Sequence, residues 1–185
     1  MATFCSHDFN YNEAVNFCLP DWLQYDLECV QKYRDMSKPP VFSHDELLVT
    51  IFSYEKSVES SKWLLPMLEE MVERELRRRQ KVLDLIPGIR TTRESSSSQP
   101  DEYYQCAVDK SYCYLSQITC PGLDHVVCAD HTETLPSGQT PVLNIRFTDE
   151  ELLAMLDEVR SRAEGTDEES KVKRIPIPYP DMVLS

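Results

Sequence analysis

Apolar side chains recur at three- and four-residue spacing between Lys62 and Leu85. Leu64, Leu68, Met71, Val72, Leu76, Val82 and Leu83 fall on one face, continued by Ile86, and this period predicts a long amphipathic helix. Glu73, Arg74, Glu75, Arg77, Arg78, Arg79 and Lys81 crowd the other side. Two further helix starts share one signature. In Phe42-Ser43-His44-Asp45-Glu46-Leu47, Ser43 can cap the first turn, Glu46 can reach back to it, and Phe42 can staple onto Leu47. Phe147, Thr148, Glu151 and Leu152 take the same four roles, so helices are predicted from about residues 44 and 149.

The first forty residues lack a clean period. Phe9 to Phe17 is aromatic and polar, and Trp22-Leu23 with Val30 and Tyr33 predicts a short helical stretch after Pro20. Residues 91–101, polar and Ser-rich after the breakers Pro87-Gly88, read as a linker. The segment 165–185 is charged and then punctuated by Pro176, Pro178 and Pro180, and is expected to be a disordered tail.

Charge narrows the picture. The formal net charge of the 185 residues is −13, and the only net-positive stretch is 61–95. The basic cluster on the long helix could touch phosphate or a nucleosome. Mixed Glu/Arg helices usually keep such residues in solvent, so a solvated face is expected and there is no strong nucleic-acid signal. Only four residues are glycine, and no glycine-rich phosphate loop is present. No segment has the ~20 apolar residues that span a bilayer, and the N-terminal residues lack the basic and apolar regions of a secretory signal. With seven cysteines and no sign of export, a reducing compartment, cytoplasm or nucleus, is expected.

His44-Asp45-Glu46 contains the His-x-Glu spacing of mononuclear iron sites. On a strand such a pair shares one face, but in the first turn of a helix it diverges by about 200°. Capping already accounts for Glu46, and the iron reading is rejected.

Cys106, Cys113, Cys120, Cys128 and His131 lie close together in the chain. Cys128-Ala129-Asp130-His131 is a Cys-x2-His pair, a short loop from which two ligands can reach one tetrahedral zinc. Cys106-Ala107-Val108-Asp109 occupies the place of a Cys-x2-Cys knuckle, with Asp109 at the second position. Cys106, Asp109, Cys128 and His131 therefore make a plausible closed site for one structural zinc, with Cys113 or Cys120 as the alternative to Asp109. The competing reading is a set of free thiols in a small core.

These segments resemble the lysine-specific demethylase 5 family, jumonji histone demethylases acting on lysine 4 of histone H3. Phe9-Asn10-Tyr11-Asn12-Glu13-Ala14-Val15-Asn16-Phe17-Cys18, then Asp21-Trp22-Leu23, is similar to the end of that family's JmjC barrel. Cys29 to Arg34 and Val41 to Leu47 continue the likeness. Gln105-Cys106, Tyr114-Leu115-Ser116 and Val127-Cys128-x-x-His131 resemble its C5HC2-type zinc finger, and Phe147 to Ala163 resembles the start of the helical region beyond it. The resemblance implies a mainly α fold with a small irregular zinc module and an N-terminal strand and turn remnant of a JmjC (cupin) barrel. The implied division is 1–36 barrel end, 37–90 helical region, 91–101 linker, 102–138 degenerate finger and 146–164 following helix.

The same resemblance implies Asn16 beside a cofactor pocket, and Cys106, Asp109, Cys120, Cys128 and His131 as metal residues, with Asp109 replacing a family cysteine. Thr134 to Gly138 stands where the last two finger ligands would lie, so one zinc site is expected. The family's iron ligands and 2-oxoglutarate lysine precede the aligned region or fall near Ala2, and Ser6 stands where a pocket Asn is expected. Fe(II) and 2-oxoglutarate are thus expected only in the full-length family enzyme, and no catalytic residue is assigned to this chain. The expected function is a piece of a nuclear histone demethylase that braces the rest of the barrel. A non-catalytic zinc protein that binds a histone tail or chromatin complex subunits is the alternative, and a product unable to fold alone is a third.

Overall fold

The computed structural model describes residues 20–94, 104–136 and 138–165. Asn16, with residues 1–19 of the proposed barrel end at 1–36, and the tail beyond Gly165 lie outside the described residues. So do the serines of the linker.

Helix α1 spans Pro20–Asp35 and starts on a proline, whose missing N–H is no loss in a first turn. Leu23, Asp26, Leu27, Val30 and Arg34 form its inward line at three- and four-residue spacing. The helix closes with Lys38 N–H bonding to Tyr33 C=O and Ser37 N–H to Arg34 C=O, while Ser37 takes a left-handed φ of 52°. Helix α2 is His44–Tyr54, its first turn capped by Ser43 Oγ accepting from Glu46 N–H. It buries Leu47, Leu48 and Ile51.

Helix α3 runs from Val58 to Leu85, one turn earlier than the apolar period suggested, because Ser57 caps it by accepting from Ser60 N–H. Its 28 residues make a rod of about 42 Å. Helix α4, Asp149–Glu164, packs along it and buries Leu152, Leu156 and Val159. Here the full reciprocal cap forms: Thr148 Oγ1 accepts from Glu151 N–H, and Glu151 Oε2 accepts from Thr148 N–H. Thr148→Ala is expected to cost about 1 kcal/mol of stability, read as a lowered urea midpoint at unchanged slope.

Between α3 and α4 lies a three-stranded sheet of order β1-β3-β2. The strands are β1 Arg90–Arg93, β2 Ser116–Thr119 and β3 Val142–Ile145, with β1 parallel and β2 antiparallel to β3. Gly88, at φ 79°, makes the turn from α3 into β1, a conformation that favours glycine. The first part of the segment read as linker is therefore a strand, Thr91 pairing with Leu143. The zinc module is less irregular than expected, since its strands share a sheet with residues that follow the helical region.

Two cores result, and α3 serves both. The helical core gathers Leu23, Leu48, Ile51, Leu64, Leu68, Met71, Val72 and Leu152, together with Leu115 from the zinc module. The second holds Val82 from α3 with Cys106, Ile118, Val126, Val127 and Leu143.

The polar side of α3 is the solvated face the sequence suggested only in part: Glu73, Arg77 and Lys81 are exposed, while other members of the cluster are covered. Glu75 and Arg79 are 5% and 4% exposed. Arg79 donates to Glu75 Oε1 at 2.7 Å, Phe147 C=O at 2.8 Å, Asp149 Oδ1 at 2.7 Å and Leu115 C=O at 3.2 Å. Arg74 pairs with Asp45, and Arg78 and Lys81 reach Asp130. The Arg77–Glu73 pair, by contrast, is a surface i,i+4 contact.

Candidate metal centre

The knuckle at Cys106 is built by local hydrogen bonds. Cys106 N–H donates to Ser111 C=O, Lys110 N–H returns to Cys106 C=O, and Lys110 takes a left-handed φ of 61°. Asp109 Oδ1 accepts from both the N–H and the hydroxyl of Ser111, an Asx-type turn that leaves Oδ2 facing inward. Ala107 N–H bonds to Val126 C=O, tying the knuckle to the segment that carries Cys128. A 3-10 turn over Ala129–Thr134, opened by His131 N–H to Cys128 C=O, folds the imidazole back over the Cys128 thiol.

Four donor atoms converge as a result: those of Cys106, Asp109, Cys128 and His131 all lie within 4.8 Å of one another. His131 Nδ1 is 3.5 Å from Cys106 Sγ, 3.2 Å from Cys128 Sγ and 3.8 Å from Asp109 Oδ2, and Cys128 Sγ is 4.0 Å from that oxygen. A tetrahedral zinc with ligand bonds of 2.0–2.3 Å separates its ligands by roughly 3.3–3.8 Å. The cluster is therefore close to the size of a zinc site, and its donors, two sulfurs, one nitrogen and one oxygen, are all of types that bind zinc.

The remaining sequence candidates fall elsewhere. Cys120, at the end of β2, donates its thiol to Gln139 Oε1 at 2.9 Å and does not join the group. Cys113 is buried beside Ser111, and burial pushes its thiol well up. His125 is exposed next to Asp124. Of the rejected iron pair, His44 has Nδ1 2.6 Å from Asp26 Oδ2, and Glu46 donates its backbone N–H to Ser43 Oγ in the expected first turn.

The two thiols push each other's ionisation in opposite directions. A hydrogen bond from Cys128, aided by backbone N–H groups, holds the Cys106 thiolate and lowers its pKa despite burial. That anion in turn pushes Cys128 upward, and burial adds to the effect. A divalent cation between the sulfurs would remove this conflict by stabilising both thiolates.

Arg34 is the residue that sequence reading missed. From α1 it donates Nε to Asp109 Oδ2 at 2.5 Å and one terminal nitrogen to Asp130 Oδ2 at 2.7 Å, and the same nitrogen lies 4.0 Å from Cys128 Sγ. Asp130, sandwiched by Arg34, Arg78 and Lys81, is held below the usual carboxylate range, since these contacts outweigh its burial. No local spacing could announce Arg34, because its partners stand more than seventy residues away.

Comparisons with known proteins fall on these two modules. Residues 21–73 match the lysine-specific demethylase 5, C-terminal helical domain, and residues 106–155 match the C5HC2 zinc finger. The helical match begins at residue 21, inside the stretch read as barrel end, and the finger match runs on into α4. The chain is 32% identical over 179 residues to lysine-specific demethylase 5D of Homo sapiens, covering 94% of the chain and 12% of that protein. The Pan troglodytes protein of the same name matches equally. Lysine-specific demethylase 5B of Gallus gallus is 36% identical over 168 residues, covering 86% of the chain and 11% of that protein. The chain thus spans about one eighth of the length of the curated relatives it matches.

Proposed function

We propose, from the premise that the chain belongs through these two regions to the lysine-specific demethylase 5 family, that it is a zinc-braced, non-catalytic module of a jumonji-type histone demethylase. The substrate class of the parent activity is methylated lysine 4 of histone H3, and the setting is chromatin in the nucleus. Fe(II) and 2-oxoglutarate would be handled by residues of the full-length enzyme outside this chain. Zinc here would be held by Cys106, Asp109, Cys128 and His131 and would supply structure rather than chemistry. Four protein donors leave a tetrahedral ion no open position for substrate or water.

The observation that carries the reading is the interlock of the two matched regions. Helix α3 enters both cores, Leu115 of the finger completes the helical core, and Arg34 of the helical region grips the candidate zinc cluster. A brace of this kind transmits stiffness between modules and leaves catalysis to a neighbour.

Exchanging residues 20–165 into the matching segment of the Gallus gallus relative tests the role. The chimera is expected to release formaldehyde from a trimethyl-lysine-4 histone H3 peptide, whereas the isolated chain with Fe(II) and 2-oxoglutarate releases none. A Cys128→Ser chimera should lose most of that turnover. Full activity in the Cys128→Ser chimera would remove the bracing role, and turnover by the isolated chain would remove the non-catalytic assignment. One observation favours a second reading, a free-standing chromatin-interaction protein: the net charge of −13 suits a basic histone tail. Salt-sensitive binding of an unmodified histone H3 tail peptide to the isolated chain would be its signature.

A further inference from the structure

We propose that Arg34 is a positioning residue of the metal centre, and that it couples zinc occupancy to the docking of α1 on the finger. The inference rests on the zinc reading above and adds to it a residue from the other module.

The argument begins with charge. Two thiolates and one carboxylate around a divalent ion, with a neutral imidazole, leave a net charge of −1 in a site whose Cys106, Asp109 and Cys128 are all buried. An uncompensated buried charge is strongly disfavoured. Arg34 supplies the missing positive charge from a side chain that is itself only 20% exposed. Geometry agrees with charge. Asp109 Oδ1 is taken by Ser111, so Oδ2 is the oxygen that faces the cluster, and Arg34 Nε donates to that same oxygen. A carboxylate oxygen has two acceptor directions, one for the guanidinium and one for a metal.

The second arm of the guanidinium is anchored on Asp130, inside the Cys128–His131 loop. One planar fork therefore clamps both halves of the ligand set, the knuckle and the loop, and does so from α1. Lysine cannot reproduce such a fork, since it offers a point charge in place of two fixed donors. Outer-shell partners of this kind commonly contribute 10–100-fold to metal affinity. Coupling is reciprocal by thermodynamic linkage: if α1 docking tightens zinc, zinc must tighten α1 docking by the same factor.

The test uses the whole chain and a chromophoric zinc chelator in competition. Arg34→Gln is expected to weaken zinc about tenfold or more, Arg34→Lys less, and Asp130→Asn, which weakens the second arm together with the Arg78 and Lys81 contacts, by an intermediate amount. Arg77→Gln, on the exposed pair, should bind as the wild type does. Hydrogen exchange supplies the readout that a merely structural arginine would not move. Chelating zinc from the wild type should speed exchange of the α1 amides, and in Arg34→Gln α1 should exchange alike with and without zinc. Equal zinc affinity in wild type and Arg34→Gln, or α1 exchange indifferent to zinc in the wild type, would overturn the role of Arg34 while leaving the zinc site standing. A wild-type chain that retains no zinc at all would overturn the site and this inference together.

Discussion

Cys128→Ser and His131→Ala are each expected to take the chain from one tightly held zinc to none after dialysis against a mild chelator. Cys128 and His131 sit on one 3-10 turn, 3.2 Å apart at their donor atoms, and each is a quarter of the donor set. Binding of structural zinc in small finger modules is worth on the order of 10 kcal/mol, as much as the whole stability of many domains. The effect should be local in the first instance. Amides of residues 104–136 should lose hydrogen-exchange protection, because the second core is small and four of its members are Cys106, Cys113, Cys128 and Ala129. Amides in the middle of α3 and in α4 should keep theirs, since Leu64, Leu68, Met71, Leu152 and Val159 form a core with no metal donor in it. Unchanged metal content in both variants would sink the ligand assignment.

Arg79→Met is expected to be the most damaging substitution outside the cluster, at about 3–5 kcal/mol by urea denaturation. The loss has two parts. It strands the Glu75 carboxylate, 6% exposed, without its partner. It also removes the donor to Phe147 C=O and one of two donors to Leu115 C=O, which still accepts from Arg146 N–H. Adding Glu75→Leu to Arg79→Met should recover the first part, since replacing a buried pair by apolar side chains is often neutral, while the carbonyl part persists. A cost under about 1 kcal/mol for Arg79→Met, the range of a surface pair, would mean that the solvated-face reading of this helix had been right.

Why some features were legible in the sequence and others were not follows from the range of the interactions. Ser43 and Thr148 announce α2 and α4 because capping spans three residues and can be checked by eye. The pairs Cys106/Asp109 and Cys128/His131 were legible for the same reason: a two-residue spacer forces their donors together. Cys120 resembled its neighbours in spacing, but its thiol, at the end of β2, turns to Gln139 instead. The α3 period gave the apolar face apart from Leu83, which is 42% exposed, yet it put Glu75 and Arg79 in water. Helical period reports which side a residue is on, and cannot report that the Leu115 turn and the entry to α4 would cover the polar side as well. Strand β1 was lost for a related reason. Arg-Thr-Thr-Arg has neither the alternation nor the branched apolar residues that mark a strand, and it is held by backbone bonds to β3 far along the chain. Arg34, whose partners are equally distant, was invisible on the same grounds.

The sheet order β1-β3-β2 has a consequence for how the molecule is assembled. During synthesis the two outer strands emerge first, and neither pairs with the other. The middle strand, Val142–Ile145, comes last, and both neighbours depend on it for their ladders. Closing Arg90 onto Val142 also joins positions about fifty residues apart, which makes the step slow relative to local turns. The four metal donors all precede that strand. The knuckle and the Cys128–His131 loop are therefore synthesised while the sheet still lacks its middle strand. The donor set thus precedes the strand that completes the sheet, and β1 and β2 both wait on that strand for their partners.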